Sequence, residues 1–435
     1  MKDENRFGYS PEEYKRFTLH AYNFLFMFSV LYCCIYCIRT NLSNVGPVLI
    51  ESLGWTKADL GILTSVFFWT YGCGQLINGR LCEIIGARKF LYFSIIGSIA
   101  ANFIFSTQTS LLIMAIIWGL NGYIQSMAWP SGMSLLAKWW PGDKRGFATG
   151  FAFGFTGFGQ VATTLSVVLG LSYFSSLGWK SAFIIPATFP LIMLIIFTIF
   201  VKASPENIGL KEYVEDNPEK AKAEQELTAL IKSHGKLYPW LHMLSNKKFV
   251  VWLFVAFLQG LIRYGLVTWI PLYYVENFGV DVTSGLLQSL ALPVGMGIGS
   301  LIVPWLTDRY CPNNRIAAAA VSGFVATVCI IGFAFLNPTN AGHLVLITLC
   351  LFIGGFAIYA VTGCVWAFAT DAGGRLFSGT CIGMMDFCQY LGAGIQAVLY
   401  GFLIDAIGWN MIFMSVAGFC AIVGTIGIIN SRHHP

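Results

Sequence analysis

Charge is scarce in this sequence: Asp, Glu, Lys and Arg make up 11% of the 435 residues, while hydrophobic types make up 56%. That balance excludes a water-soluble domain of this size, since ordinary globular domains are about a quarter charged. Histidine is rarer still, with 6 in the chain and none in the middle of an apolar run. Acids are absent from the middle of the runs too, apart from Asp386. No G-x-x-x-x-G-K-[ST] loop occurs, so no ATP site is readable. No nucleophile or metal cluster marks an enzyme, no cofactor is implied, and the formal charge of +5 does not point to nucleic acid. Residues 1 to 17 are polar for too long to open a cleavable signal peptide, and the first apolar run is expected to act as its own signal.

What is present is a series of long apolar runs, at 21 to 44, 58 to 80, 89 to 108, 110 to 137, 146 to 171, 179 to 201, 249 to 274, 283 to 307, 315 to 336, 342 to 370, 377 to 404 and 408 to 430. Each is long enough to cross a bilayer as a helix. Twelve spans put both termini on one side. With the N-terminus cytoplasmic, only Lys57 and Lys180 face outward; Arg39 and Arg263 lie inside spans, and every other Lys and Arg falls on the inner side. The positive-inside rule therefore places both termini in the cytoplasm of a multi-pass cytoplasmic (inner) membrane protein. Of the 12 cysteines, most fall singly in the spans and read as small packing residues. Cys33, Cys34 and Cys37 lack the histidine or second pair that a zinc site needs.

The stretch 258 to 274, LQGLIRYGLVTWIPLYY, sets an arginine near the middle of a span. A charge at a helix centre costs roughly 2.5 to 3.5 kcal/mol on insertion, so Arg263 calls for a wet cavity or a partner. Arg39 poses the same problem in span 1. Tyr32, Tyr36 and Arg39 share one helical face, as do Gln259 and Arg263. Two guanidinium forks match a phosphate, carboxylate or sulfonate bidentately, so the substrate is expected to be a small anion. Asp386, with Gln389 and Tyr390 beyond it, is open to three roles: a proton carrier, a partner for a cationic part of the substrate, or a permanent partner of Arg263. Tyr71 and Tyr359 are the further cavity candidates. Gly150, Gly154 and Gly157 make a small-residue seam that close packing or sliding of helices explains.

The polar stretch 202 to 248 divides six spans from six and is expected to be a connector, with an amphipathic helix over 219 to 233. The domains are thus 1 to 201, 202 to 248 and 249 to 435. Repetition supports the division. Leu81 and Glu83, in the loop that also holds Arg88, map onto Leu306 and Asp308, in the loop that Arg315 closes, with an offset of 225 that also carries Arg39 to within one residue of Arg263.

These acid and arginine loops resemble the signature of the major facilitator superfamily. The resemblance implies an all-α membrane protein of twelve transmembrane helices in two pseudo-symmetric six-helix bundles, with Glu83, Arg88, Asp308 and Arg315 gating the cytoplasmic side. Within it the chain is similar to the organophosphate:phosphate antiporters over nearly its whole length. The similarity rests on Tyr32, Tyr36 and Arg39, on Gln125 through Trp129-Pro130, on Ile358-Tyr359 through Asp371 to Ser378-Gly379-Thr380, and on Tyr390-Leu391-Gly392. Arg263-Tyr264-Gly265 with Trp269 and Pro271 is its most specific part.

The chain departs from that pattern at Thr40 and Gln75, where the family typically has lysine, and at Thr156, where it typically has histidine. Thr268 and Pro293 stand where acids are often found. The expectation is a secondary transporter moving a phosphate ester or related sulfonate or carboxylate by alternating access, against inorganic phosphate or with a proton. The substrate-binding set is Arg39, Arg263, Tyr32, Tyr36, Tyr71, Gln75, Thr156, Gln259, Tyr359, Asp386 and Tyr390. Its partners are the bilayer and the small anion, and it is expected to act as a monomer. A membrane sensor of a phosphorylated metabolite would keep the same site and is the alternative.

Overall fold

A computed structural model describes residues 9–211, 226–227, 229–235, 237–310, 315–336 and 341–431. Span 1 consists of Pro11–Tyr36 and Asn41–Leu53, span 2 is Lys57–Ile85 and span 3 is Ala87–Ser106. Span 4 is Leu111–Gln125 with Ala128–Ala137, span 5 is Gly142–Tyr173 and span 6 is Ser181–Phe200. After the linker come span 7, Lys247–Phe278, span 8, Val282–Ser289 with Ala291–Tyr310, and span 9, Arg315–Phe335. Helix then continues over Ala341–Ser431. Its first crossing stretch is Gly342–Trp366; the next, Gly379–Ser431, has 53 residues. A helix of that length runs about 80 Å, more than twice a bilayer's hydrocarbon thickness. It folds back at Gly408, whose φ of 79° lies in the left-handed region, and Tyr400 before the bend meets Ser415 after it at 3.0 Å. Among the described residues, eleven apolar helical stretches thus make twelve spans.

Local chemistry sets the helix starts. Ser10 and Glu13 form a reciprocal capping box at the start of span 1, and Thr56 and Asp59 form another at span 2. Asn246 and Asp281 cap spans 7 and 8 through their side-chain oxygens. Span 1 runs past both expected limits of 21 and 44. The capped turn of Pro11 extends it at one end, and at the other Asn44 continues the helix by donating to Thr164 Oγ1 inside the bundle. Of the helix expected over 219 to 233, residues 219 to 225 and 228 lie outside the described residues. The rest is helical, with Leu227 and Leu230 against the core.

Span 6 is the most lipid-facing of the first six, with Leu191, Ile192, Ile195 and Ile199 exposed. Span 7 is the opposite, 72% buried over its apolar window. Spans 2 and 11 and spans 5 and 8 form the seams between the six spans before the linker and the six after it. A Cβ on Gly61 would collide with the Ala397 carbonyl, one on Gly401 with the Lys57 carbonyl, and one on Gly157 with the Gly297 backbone. Nearer the linker the seams part, and a Cβ on Gly79, Gly150, Gly379 or Gly383 would meet nothing within 4 Å. The bundle is shut at the end away from the linker and open at the linker end.

Candidate functional site

Span 1 breaks at Cys37–Thr40 with neither glycine nor proline in the break. Three consecutive amides turn to tight bonds three residues back, Cys37 to Cys34, Ile38 to Ile35 and Arg39 to Tyr36, and Thr40 also donates to Tyr36, all at 2.9 to 3.2 Å. The carbonyl of Ile38 is released from the helix ladder. In hydrocarbon a freed backbone group needs a partner inside the protein, and here it has three. Asn102 of span 3 donates at 3.2 Å, and Asn121 and Gln125 of span 4 donate at 3.2 and 2.8 Å. Span 4 itself breaks just past Gln125, at Ser126-Met127.

The break delivers Arg39 to the centre of the bundle, where it is only 3% exposed. Its Nε donates to Gln125 Oε1 at 3.0 Å and Nη2 to Tyr71 at 2.9 Å, while Nη1 is buried without a partner. The guanidinium also lies over the rings of Tyr36 and Tyr71, 4.6 and 4.5 Å from their centroids. Gln125 is therefore both the brace of the broken span and the ligand of the arginine.

Arg263, also 3% exposed, approaches from the other half. Its Nη2 donates to the Tyr36 hydroxyl at 3.4 Å, its Nε has no partner, and the rings of Tyr264 and Tyr359 flank it at 4.8 Å each. The two arginines thus meet across the seam through Tyr36. Among the described residues neither has a carboxylate within 4.0 Å. Each presents at least one buried N–H that nothing fills, in a medium where an unmade hydrogen bond costs about 1 to 3 kcal/mol. Structural arginines are paired; these two are not.

The other expected residues fall around this pair. Tyr32 packs on Trp129 with its ring 5.8 Å from Arg39. Tyr390 packs on Tyr71 across the seam in a tilted pair, with centroids 4.4 Å apart, and shares a hydroxyl contact with Tyr264 at 3.3 Å. The hydroxyls of Thr156 and Tyr359 are buried without partners. Gln75 is half-buried one turn from Tyr71. Gln259 differs: its amide donates at 2.6 Å to the Ile358 carbonyl and to Thr362 Oγ1, so it ties span 7 to span 10 with its donors already used.

Asp386 is half-buried one turn from Tyr390, toward the open part of the seam at Gly379 and Gly383. It makes no hydrogen bond, and no basic group lies within 4.0 Å among the described residues. Arg39 and Arg263 are the cations whose field it feels. The permanent pair with Arg263 is therefore not formed in this state.

Of the gating set, the side chains of Glu83, Asp308 and Arg315 lie outside the described residues. Arg88 donates to the Tyr92 hydroxyl at 2.9 Å and reaches the end of span 6 at the Thr198 and Val201 carbonyls. The eleven described cysteines are all free thiols.

One cluster was not anticipated. At the shut end Lys57 of span 2 sits 2.6 Å from Asp405 of span 11 and 3.0 Å from Glu276 of span 7, and Trp409 donates to the same Glu276 at 3.0 Å. Lys57 is a first-half residue held wholly by the second half. Exposed ion pairs contribute about 0 to 1 kcal/mol each, so replacing Lys57 by Met is expected to shift the balance toward opening at this end by roughly three- to tenfold. Spin-label distances between spans 2 and 11 would show it, and an unchanged distance distribution would remove Lys57 from the lock.

Residues 28–397 match the sequence profile of the Major Facilitator Superfamily. The chain belongs to that superfamily. It is a multi-pass membrane transporter by this membership, and three of its relatives carry the names of transporters or, in one case, of a membrane sensor. The Major Facilitator relatives span most of its length. It is 28% identical over 94% of this chain, and 90% of the relative, to a glycerol-3-phosphate transporter of Bacillus subtilis. It is 27% identical to a probable sulfoacetate transporter of Cupriavidus necator, over 91% and 90%. It is 23% identical to the membrane sensor protein UhpC of Escherichia coli, over 89% and 86%. Among solved structures, a bacterial homolog of the human lysosomal transporter Spinster superposes with a TM-score of 0.75 at 14% identity, covering 95% of this chain and 98% of that one. The D-xylose-proton symporter gives 0.68 at 14% identity, over 96% of each. These structures share the fold, twelve spans in two pseudo-symmetric bundles.

Proposed function

We propose that this protein moves a small organic anion, a phosphate ester or related sulfonate or carboxylate, across the cytoplasmic membrane by alternating access, with Arg39 and Arg263 holding the anion. The observation that carries this is the pair of buried arginines, one from each half, with unfilled N–H groups and no carboxylate partner. An anion bridging them ties the halves together at the centre, in place of the single 3.4 Å contact to Tyr36. Relatives named for glycerol 3-phosphate and sulfoacetate are consistent with such a cargo. In this reading the halves 1 to 201 and 249 to 435 rock about the Gly157–Gly297 contact, and 202 to 248 tethers them. In the same reading the linker end faces the cytoplasm, which the distribution of Lys and Arg supports.

Asp386 supports proton coupling. Ionised, it repels an incoming anion and takes up part of the arginines' field; protonated, it does neither. Anion and proton therefore enter more favourably together than apart. The uncharged Thr40, Gln75 and Thr156 leave these three groups as the charges of the central layer.

The test is counterflow in proteoliposomes with labelled glycerol 3-phosphate and with labelled sulfoacetate. Saturable exchange of at least one, lost in the arginine variants, is expected. The similarity to a sensor supports a second reading, in which the same anion stabilises the protein to heat but no counterflow occurs with either.

A further inference from the structure

We propose that the anion site has a second chamber, built to receive a short, uncharged, oxygen-bearing tail on the anion. A cavity lies between the halves on the shut side of the arginines. Asn44, Gln160 and Thr164 of spans 1 and 5 form one wall, and Leu266, Ile270 and Leu292 of spans 7 and 8 form the other. Leu266 and Ile270 stand three and seven residues beyond Arg263 on the same helical face. At 1.5 Å per residue the chamber begins about 4.5 Å past the arginine and reaches about 10.5 Å. Gln160 stands one turn beyond Thr156 in the same direction.

The chamber's polar groups are not equally committed. Asn44 donates to Thr164 Oγ1 at 3.1 Å, and Thr164 donates to the Gln160 carbonyl at 3.2 Å. The side-chain amide of Gln160 is uncommitted: it is 4% exposed, lines the cavity, and its Nε2 has no partner. A buried amide donor in an apolar setting stays unpaired only at a cost unless something fills it. No charged residue lines the chamber, so a tail carrying a second charge would be desolvated without compensation. The cavity is small, near 20 Å³, room for about one water-sized group, so the fitting occupant is a single hydroxyl or carbonyl oxygen at the end of a short tail, with the carbon that bears it against Leu266 and Ile270. Polyol phosphates and hydroxyalkyl sulfonates have this form.

This rests on the anion reading of Arg39 and Arg263, and the experiment separates the two. The full-length protein in detergent is titrated, by thermal shift, with two matched pairs: methyl phosphate against glycerol 3-phosphate, and methanesulfonate against 2-hydroxyethanesulfonate. In the wild type the tail-bearing member of at least one pair is expected to bind about tenfold more tightly. Gln160→Leu, which removes the donor and fills the chamber, is expected to bring that preference below threefold. Thr164→Val, which deprives the Gln160 segment of its hydroxyl support with little change in volume, is expected to lower it less. A preference that survives Gln160→Leu, or parallel loss of both members of a pair, overturns the chamber and leaves Gln160 a packing residue. Absence of a tail preference in the wild type overturns it as well. Failure of all four anions to bind the wild type overturns the arginine reading, and the chamber with it.

Discussion

Arg39→Lys and Arg263→Lys are each expected to abolish measurable uptake and to weaken anion binding by one to two orders of magnitude, with the protein still inserted and folded. The charge survives each change; the fork does not. Arg39 uses two nitrogens to hold Gln125 and Tyr71 and keeps Nη1 for the anion. One ammonium on a flexible stem cannot keep both contacts and still reach a ligand. A charge-assisted hydrogen bond contributes about 1.5 to 3 kcal/mol, and 1.4 kcal/mol is tenfold in affinity. Arg263→Lys loses less internally, since its one polar contact is the long bond to Tyr36, so its melting temperature is expected to stay nearer the wild type's. Vesicle uptake, thermal-shift titration and the melting curve of each variant test this. Wild-type uptake in either would remove that arginine from the site.

Asp386→Asn is expected to separate binding from energy coupling. Without a partner within 4.0 Å, the carboxylate contributes no ion pair to stability, so the variant should express and melt like the wild type. The wild type should bind anions more tightly as pH falls, because protonation removes a negative charge facing the arginines. Arg39, Arg263 and Tyr390 are the charged or titratable neighbours that shape this response. Two unit charges separated by about 4 Å at an effective dielectric of about 20 interact by about 4 kcal/mol, and the repulsion falls in inverse proportion to distance. The pH effect should therefore approach one to two orders of magnitude in Kd, and Asp386→Asn should hold the tight value at every pH. Proton-driven accumulation should vanish while exchange of substrate for substrate persists. A preserved pH dependence would exclude the proton role. A shift of preference toward plain anions at unchanged pH dependence would instead assign Asp386 to a cationic part of the substrate. Poor expression would restore its pairing with arginine in another state of the cycle.

The central arginines were legible because a charge in an apolar run conflicts with its surroundings, and that conflict is visible along the chain. Tyr359 and Tyr390 followed from resemblance and Tyr71 was a cavity candidate among the aromatics; the structure sets Tyr71 and Tyr359 against the arginines and Tyr390 against Tyr71. The lock at the shut end was not legible. Lys57 and Asp405 are 348 residues apart and each looks like an ordinary span-end charge. Gln160 was hidden, and Gln125 was visible only as part of a resembling stretch: amides are common in membrane helices, and only the tertiary structure shows that one is saturated and the other is not. The break in span 1 left no sign because its cause lies elsewhere, in three amide side chains on spans 3 and 4. Gln259 shows the converse, a residue on the right face whose donors were already taken.

Those three amides converge on one oxygen, and a carbonyl has only two lone pairs. The Ile38 acceptor is oversubscribed, so loss of one distant donor leaves it satisfied. Positions 102 and 121 can then back each other up at this carbonyl, and substitutions at either alone should be milder there than their burial suggests. Gln125 has no such understudy, because its oxygen also holds Arg39 Nε. Variation is thus buffered at the support of the break and unbuffered at the one residue that connects that support to the anion. Sequence drift in this region should be uneven for a reason of stoichiometry, with the amide at 125 retained after either asparagine has been exchanged.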